Sequence, residues 1–139
     1  MSIIKWTEEL EIGIESIDDQ HRHLIEVINE LHLGVKHHED NGVILPLIDK
    51  LHRYADVHFN EEEVLLNKHN FPGRLDHAEE HKEFIAKVDE LKSRCESSKE
   101  MLTVDVRNFL LGWFFHHIRI NDMEYKAFLM QIGELKPRV

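Results

Sequence analysis

The chain is poor in cysteine, proline, glycine and positive charge. Cys95 is the one cysteine in 139 residues. That excludes an intrachain disulfide and any thiolate-rich zinc site, and it fits a reducing compartment. Three prolines and six glycines leave few points at which a helix has to stop. Lysine and arginine total 17 against 27 acidic residues, a net charge of -10. Nucleic-acid binding normally requires a basic face, so it is not expected. The longest apolar run, Phe109 to Phe115, is far too short to span a bilayer, and no membrane insertion is expected. The opening MSIIKWTEEL has neither the basic start nor the apolar stretch of a secretory signal, so a cytoplasmic location is expected.

What remains is a chain long enough for one domain with a real core, and it is crowded with histidine. There are 12, spread from His21 to His117, which is not the distribution of a tag. Asn41-Gly42 reads as a turn, Pro72-Gly73 as another and Ser97-Ser98 as a weaker break. The segments between these breaks show steps of three and four, as helices do, and not strand alternation. The inward stripes are Ile17, His21, Leu24, Ile28, Leu31 and Val35; then Leu47, Leu51, Ala55, His58, Glu62 and Leu66; then His77, His81, Phe84, Val88, Leu91 and Cys95; then Val106, Leu110, Trp113 and His117. Short connections between long helices imply antiparallel neighbours. The expected fold is all-α, an up-down-up-down four-helix bundle over residues 17–135. Residues 1–16 form an irregular arm whose Trp6, Leu10, Ile12 and Ile14 can pack on it. Pro46 is expected in the first turn of the second helix, where a missing N–H costs little.

Every stripe carries histidine where a core wants carbon. His21 lies near the start of the first helix, and His58 with Glu62 near the end of the second. His77 and His81 open the third, and His117 ends the fourth stripe. In an antiparallel bundle all of these fall at one end. Burying them together is costly unless they satisfy one another, and a metal does that. His23 and His116 are off their stripes; His32, His37, His38 and His52 lie too far along, and His69 sits in a turn. Imidazole with carboxylate and no thiolate suits iron, zinc, copper or nickel. Five histidines exceed the usual ligand set of one catalytic zinc, and two metals would need carboxylate bridges. Glu62 is one. Asp122 is the second choice, but five residues of α-helix put it about 140° off the face of His117. A π-bulge or a loosened turn would correct the aim; Asn121 and Glu124 are rivals.

Four stretches resemble a known family. They are Trp6 with Gly13-Ile14 and Ile17-Asp18-Asp19-Gln20-His21; His58-Phe59-Asn60-Glu61-Glu62-Glu63; His77 with His81; and Trp113 with His117-Ile118 and Asp122. They resemble hemerythrin in its single-domain bacterial form, over nearly the whole of residues 1–139. The resemblance implies a non-haem di-iron centre with an oxo or hydroxo bridge. By it His77, His81 and His117 hold one iron, His21 and His58 the other, and Glu62 and Asp122 bridge both. Counting two six-coordinate irons, one position stays open on the iron with two histidines. In this family O2 binds there reversibly, for storage, transport or delivery, and not as an enzyme's substrate. The alternatives are a di-iron peroxidase or oxidase, a protein detoxifying nitric oxide or peroxide, or an oxygen sensor. No fused signalling domain is expected, which favours carriage. The absence of any Glu-x-x-His motif separates the chain from oxygen-activating di-iron bundles.

Leu24, Leu66, Phe114 and Ile118 are the expected lining of the O2 pocket. The position of Phe114 is usually leucine in the family, and the methionine usual four residues after Glu62 is Leu66 here. A monomer that passes O2 to an oxygen-consuming enzyme is expected.

Overall fold

A computed structural model describes residues 3–37, 41–97 and 102–136. Helix α1 runs Glu15–Lys36, α2 Asn41–Lys68, α3 Arg74–Ser97 and α4 Thr103–Trp113. The last rod continues from α4 through a π-helical segment, Phe114–Asn121, into α5, Asp122–Gln131. Among the described residues there is no strand. The expected all-α bundle is what forms. Two groups of contacts set its direction. His21, early in α1, meets His58, late in α2. At the opposite end the Asn41 carboxamide oxygen accepts the Leu102 N–H at 2.9 Å, tying the start of α2 to the approach of α4. Helix α2 packs against α1 and α3, and α4 packs against α1.

The bundle forms because each helix has one carbon-rich face. Leu24, Ile28, Leu31, Ile44, Ile48, Leu51, Val88, Leu91, Val106 and Leu110 are all essentially removed from water, each contributing about 1.5–3 kcal/mol through burial. The stripes hold with two exceptions. Val35 and Trp113 are only half-buried; Gly34 takes the inward place beside Val35.

Two readings of the α1–α2 junction are corrected. Asn41-Gly42 is not a free-standing turn but the first two residues of α2, where backbone N–H groups need no helical acceptor. Pro46 consequently lies inside the helix rather than in its first turn. At the other breaks, Pro72 and Gly73 do turn the chain, helped by Asn70 at φ 53°. Helix α3 ends at Ser97; Ser98 and His38 lie outside the described residues.

The arm is tied down by side chains. The buried Asp18 carboxylate accepts the N–H of Ile12 at 2.7 Å and of Gly13 at 3.2 Å. Gly13 sits at φ +101°, a conformation that side chains rarely adopt, and so swings the arm into α1. The Asn29 carboxamide accepts from Ile3 and Ile4 and donates to the Ile4 carbonyl. Lys126 donates to the Glu11 carbonyl. Leu10 and Ile12 are buried beneath these ties.

Candidate metal centre

Seven buried polar side chains converge where the four rods meet: His21, His58, Glu62, His77, His81, His117 and Asp122, none more than 4% exposed. Their donor atoms form two groups, each within 4.8 Å. One is Glu62, His77, His81 and His117; the other is His21, His58, Glu62 and Asp122. The two carboxylates face both ways. Glu62 Oε1 lies 2.6 Å from His77 Nε2 and 2.9 Å from His81 Nε2, while Oε2 lies 3.2 Å from His58 Nε2. Asp122 Oδ1 lies 3.0 Å from His77 Nε2 and 3.1 Å from His117 Nε2, while Oδ2 lies 3.3 Å from His21 Nε2. All five imidazoles present Nε2 to this centre.

The π-helical segment explains how Asp122 arrives. The Asp122 N–H bonds to the carbonyl of His117, five residues back, so these two residues stack one turn apart on one face. An α-helical path would have aimed the carboxylate elsewhere. Asn121 turns outward to Glu80, and Glu124 is exposed; neither rival reaches the centre. His23, His37 and His116 are exposed, and His32, His52 and His69 half-exposed, away from it.

The side chains behind the histidines were not singled out from sequence. Glu80 meets His117 Nδ1 at 2.5 Å, Glu63 meets His81 Nδ1 at 3.0 Å and the Gln20 carboxamide oxygen meets His58 Nδ1 at 2.5 Å. Such partners fix which ring nitrogen carries the proton and how the ring is turned. Gln20 is held by Glu61, which also accepts from Ser16. Tyr125 donates to Glu62 Oε2 at 2.8 Å. Rings are clamped as well: Phe59 stacks on His81 and Trp113 on His117, each at 3.9 Å between centroids. Gln20 and Glu63 lie within the stretches that carry the family resemblance but without an assigned role; Glu80 has only its place beside His81, and it looks like an ordinary outward-facing polar residue.

Burial and the opposite charges within the cluster pull its acids and imidazoles in opposing directions. Burial pushes the Glu62 carboxyl up, but the imidazoles of His58, His117 and His77 around it outweigh that and hold it well below the usual range. Burial and Glu62 push Asp122 up, and His117 and His21 bring it far down. Burial lowers His77, yet the neighbouring Asp122 and Glu62 carboxylates raise it to about 9. His117 is raised for the same reasons, whereas burial keeps His58 low.

A divalent metal fits this set better than protons do. His117 Nε2 and both Asp122 oxygens are buried without an aligned hydrogen-bond partner. His21 Nε2 and His58 Nε2 face each other at 3.2 Å, so at most one can donate a proton to the other. Unsatisfied buried polar atoms are rare and call for a partner. Nitrogen and carboxylate donors without thiolate suit iron and its neighbours.

The four apolar positions are all buried but do not form one group. Leu24, Phe114 and Ile118 belong to the main core. Leu66 packs in a second cluster with Ile12, Ile17, Phe71, Tyr125 and Leu129. A surface cavity of about 410 Å³ touches Phe114 and runs between the arm and the π-helical segment, bordered by Ile4, Leu10, Phe115, Arg119 and Met123. Among the described residues no helix is long and apolar enough to cross a membrane.

Fold and donor set together define a class: an antiparallel four-helix bundle built around a buried histidine–carboxylate cluster able to hold metal. A family model described as the hemerythrin HHE cation-binding domain matches residues 12–129. The chain therefore belongs to the hemerythrin family. It is similar to bacteriohemerythrin of Stenotrophomonas maltophilia, 33% identical over 137 residues covering 96% of this chain and 88% of that protein. It is also similar to bacteriohemerythrin of Clostridium acetobutylicum, 31% identical and covering 86% of this chain and 96% of that one. The crystal structure of wild-type hemerythrin shares the fold, with a TM-score of 0.79 at 24% identity, covering 91% of this chain and 97% of that one.

Proposed function

We infer that the chain binds O2 reversibly at a di-iron centre and serves in its storage, transport or delivery. The observation that carries this reading is the unequal sharing of donors. Three imidazoles stand on one side of the paired carboxylates and two on the other, so the second metal is left with fewer protein ligands than the first. His77, His81 and His117 would hold one iron, His21 and His58 the other, with Glu62 and Asp122 and an oxo or hydroxo group bridging them. When bound, the two irons would lend O2 two electrons and recover them on release.

The protein's own part is to position, to exclude water and to limit protons. Nδ1 partners on His58, His81 and His117 hold these rings with Nε2 inward. Leu24 follows His21 by three residues on the same buried face of α1, and Phe114 and Ile118 add buried carbon from the last rod. Family membership supports binding over turnover, and the nitrogen-rich donor set agrees with it. The reading places the chain, as a single domain in the cytoplasm, as a monomeric O2 carrier and not as an enzyme, handing O2 to an oxygen-consuming enzyme.

The test is to load the chain anaerobically with ferrous iron, assay iron per chain, then cycle O2 in and out while recording the visible spectrum. About two irons per chain and a band that appears with O2 and disappears on its removal are expected. Irreversible bleaching, or sustained consumption of O2 with a reductant, would indicate an enzyme instead.

A further inference from the structure

The π-helical stretch is eight residues long, Phe114–Asn121. Such geometry is rare and mostly limited to single-turn bulges within α-helices. Something has to keep this segment from relaxing to the tighter α-helical path. Glu80, on α3, reaches it from outside. One oxygen, Oε2, meets His117 Nδ1 at 2.5 Å. The Asn121 carboxamide donates to Glu80 Oε1 at 2.7 Å and to Oε2 at 2.9 Å. One carboxylate therefore grips two residues of the segment four apart, the second of them immediately before Asp122. Glu80 is itself half-buried and sits directly before His81 in the chain, so α3 places this grip and an inward imidazole with one turn of backbone.

We propose that Glu80 is a positioning residue that clamps the π-helical segment between His117 and Asn121 and so keeps Asp122 aimed into the metal centre. It acts through the two side chains it holds. The clamp itself is a property of the metal-free chain; its consequence for metal rests on the di-iron reading above. Asn121, a rival to Asp122 by spacing, thereby gains a role of its own as the outer jaw of the clamp.

The experiment compares the full chain with Glu80→Met, Glu80→Gln and Asn121→Ala. Methionine matches the length of Glu80 and makes neither bond. Glutamine keeps one acceptor, which His117 and Asn121 must share. In the metal-free proteins, amide hydrogen exchange of residues 118–122 should be at least tenfold faster in Glu80→Met, with amides of α1 and α2 unchanged. Glu80→Gln and Asn121→Ala should fall between Glu80→Met and the native chain. After anaerobic iron loading, release of iron to a chelator should be about 10–100 times faster in Glu80→Met, as loss of such supporting bonds typically costs, with partial rescue in Glu80→Gln.

Native exchange at the Asp122 amide in Glu80→Met would overturn the clamp. The expected exchange change with native iron release would overturn its role in keeping Asp122 aimed at metal. If the native chain takes up no iron while the exchange pattern appears, the di-iron reading fails and the clamp stands.

Discussion

Phe114 separates the interior from a cavity of about 410 Å³ beneath the arm, and it is 3% exposed. Replacing it with leucine removes roughly three buried carbons, at about 0.8 kcal/mol per methylene, or about 2 kcal/mol before relaxation. Replacement by alanine costs about 3–5 kcal/mol in a rigid core; the open space on one side of the ring favours the lower end. For a chain of this size 1 kcal/mol corresponds to roughly 2–4 °C in Tm, so Phe114→Leu should melt about 4–8 °C lower. Neither change touches a donor atom, so iron content should stay at the native level.

What should move is access. Each truncation thins the carbon between the outer cavity and the core that Phe114 shares with Leu24 and Ile118, and should admit O2 and water more readily. Stopped-flow mixing of the iron-loaded protein with O2, followed by the slow loss of O2-responsive protein on standing, measures both consequences. Faster association and faster inactivation are expected, in the order alanine, leucine, phenylalanine. Equal rates in all three proteins would refute the reasoning that Phe114 is the wall.

Acidity gives a second test. His77, at about 9, and His117, raised likewise, keep protons in the metal-free fold that the unfolded chain loses near 6.5. Their stabilisation is full below about 6.5 and fades as pH rises to 9. His58, lowered by burial, costs stability below 6.5, and the depressed Glu62 and Asp122 stop contributing on further acidification. Metal-free protein should therefore melt highest between about pH 5 and 6.5, and iron loading should release protons and flatten the profile up to pH 9. A metal-free Tm that does not fall from 6.5 to 9 would contradict this.

Glu62→Gln removes the acid shared by His58, His77 and His81; urea unfolding of the metal-free chain should show a loss of about 3 kcal/mol, and a loss under 1 would count against a buried ion cluster. Asp18→Ala deletes a charged acceptor of two backbone N–H groups. About 3 kcal/mol and early proteolysis within the arm are expected, and an arm as resistant as the native one would argue that other ties suffice.

Much of this architecture is legible in sequence because the stripes are long and regular. Histidines at stripe positions near one end of antiparallel helices have few alternatives to meeting. The fourth rod is harder. His117 continues Val106, Leu110 and Trp113 by α-helical steps, but Asp122 obeys a different period, so spacing alone leaves Asn121 and Glu124 as rivals and it is the family resemblance that selects Asp122. Asn41-Gly42 misleads because the pair is common in turns and also harmless in a first helical turn, where N–H groups are free of ladder duties. Glu80, Glu63 and Gln20 are invisible to periodicity since each reaches a partner on another helix from an outward-facing position. Tyr125 looks like any core aromatic until its hydroxyl is seen on Glu62.

The donors come from positions 21 to 122 of the chain, and this spread has a bearing on synthesis. The group containing His77 and His81 lacks a member until His117 has been made, and the group containing His21 and His58 lacks one until Asp122 has. A growing chain with three complete helices thus carries four of the five inward imidazoles and neither finished set. Iron captured then would have water where the last rod belongs. The arrival of the last rod both closes the bundle and completes both sets of donors, so neither set can be finished before residues 117–122 have been made.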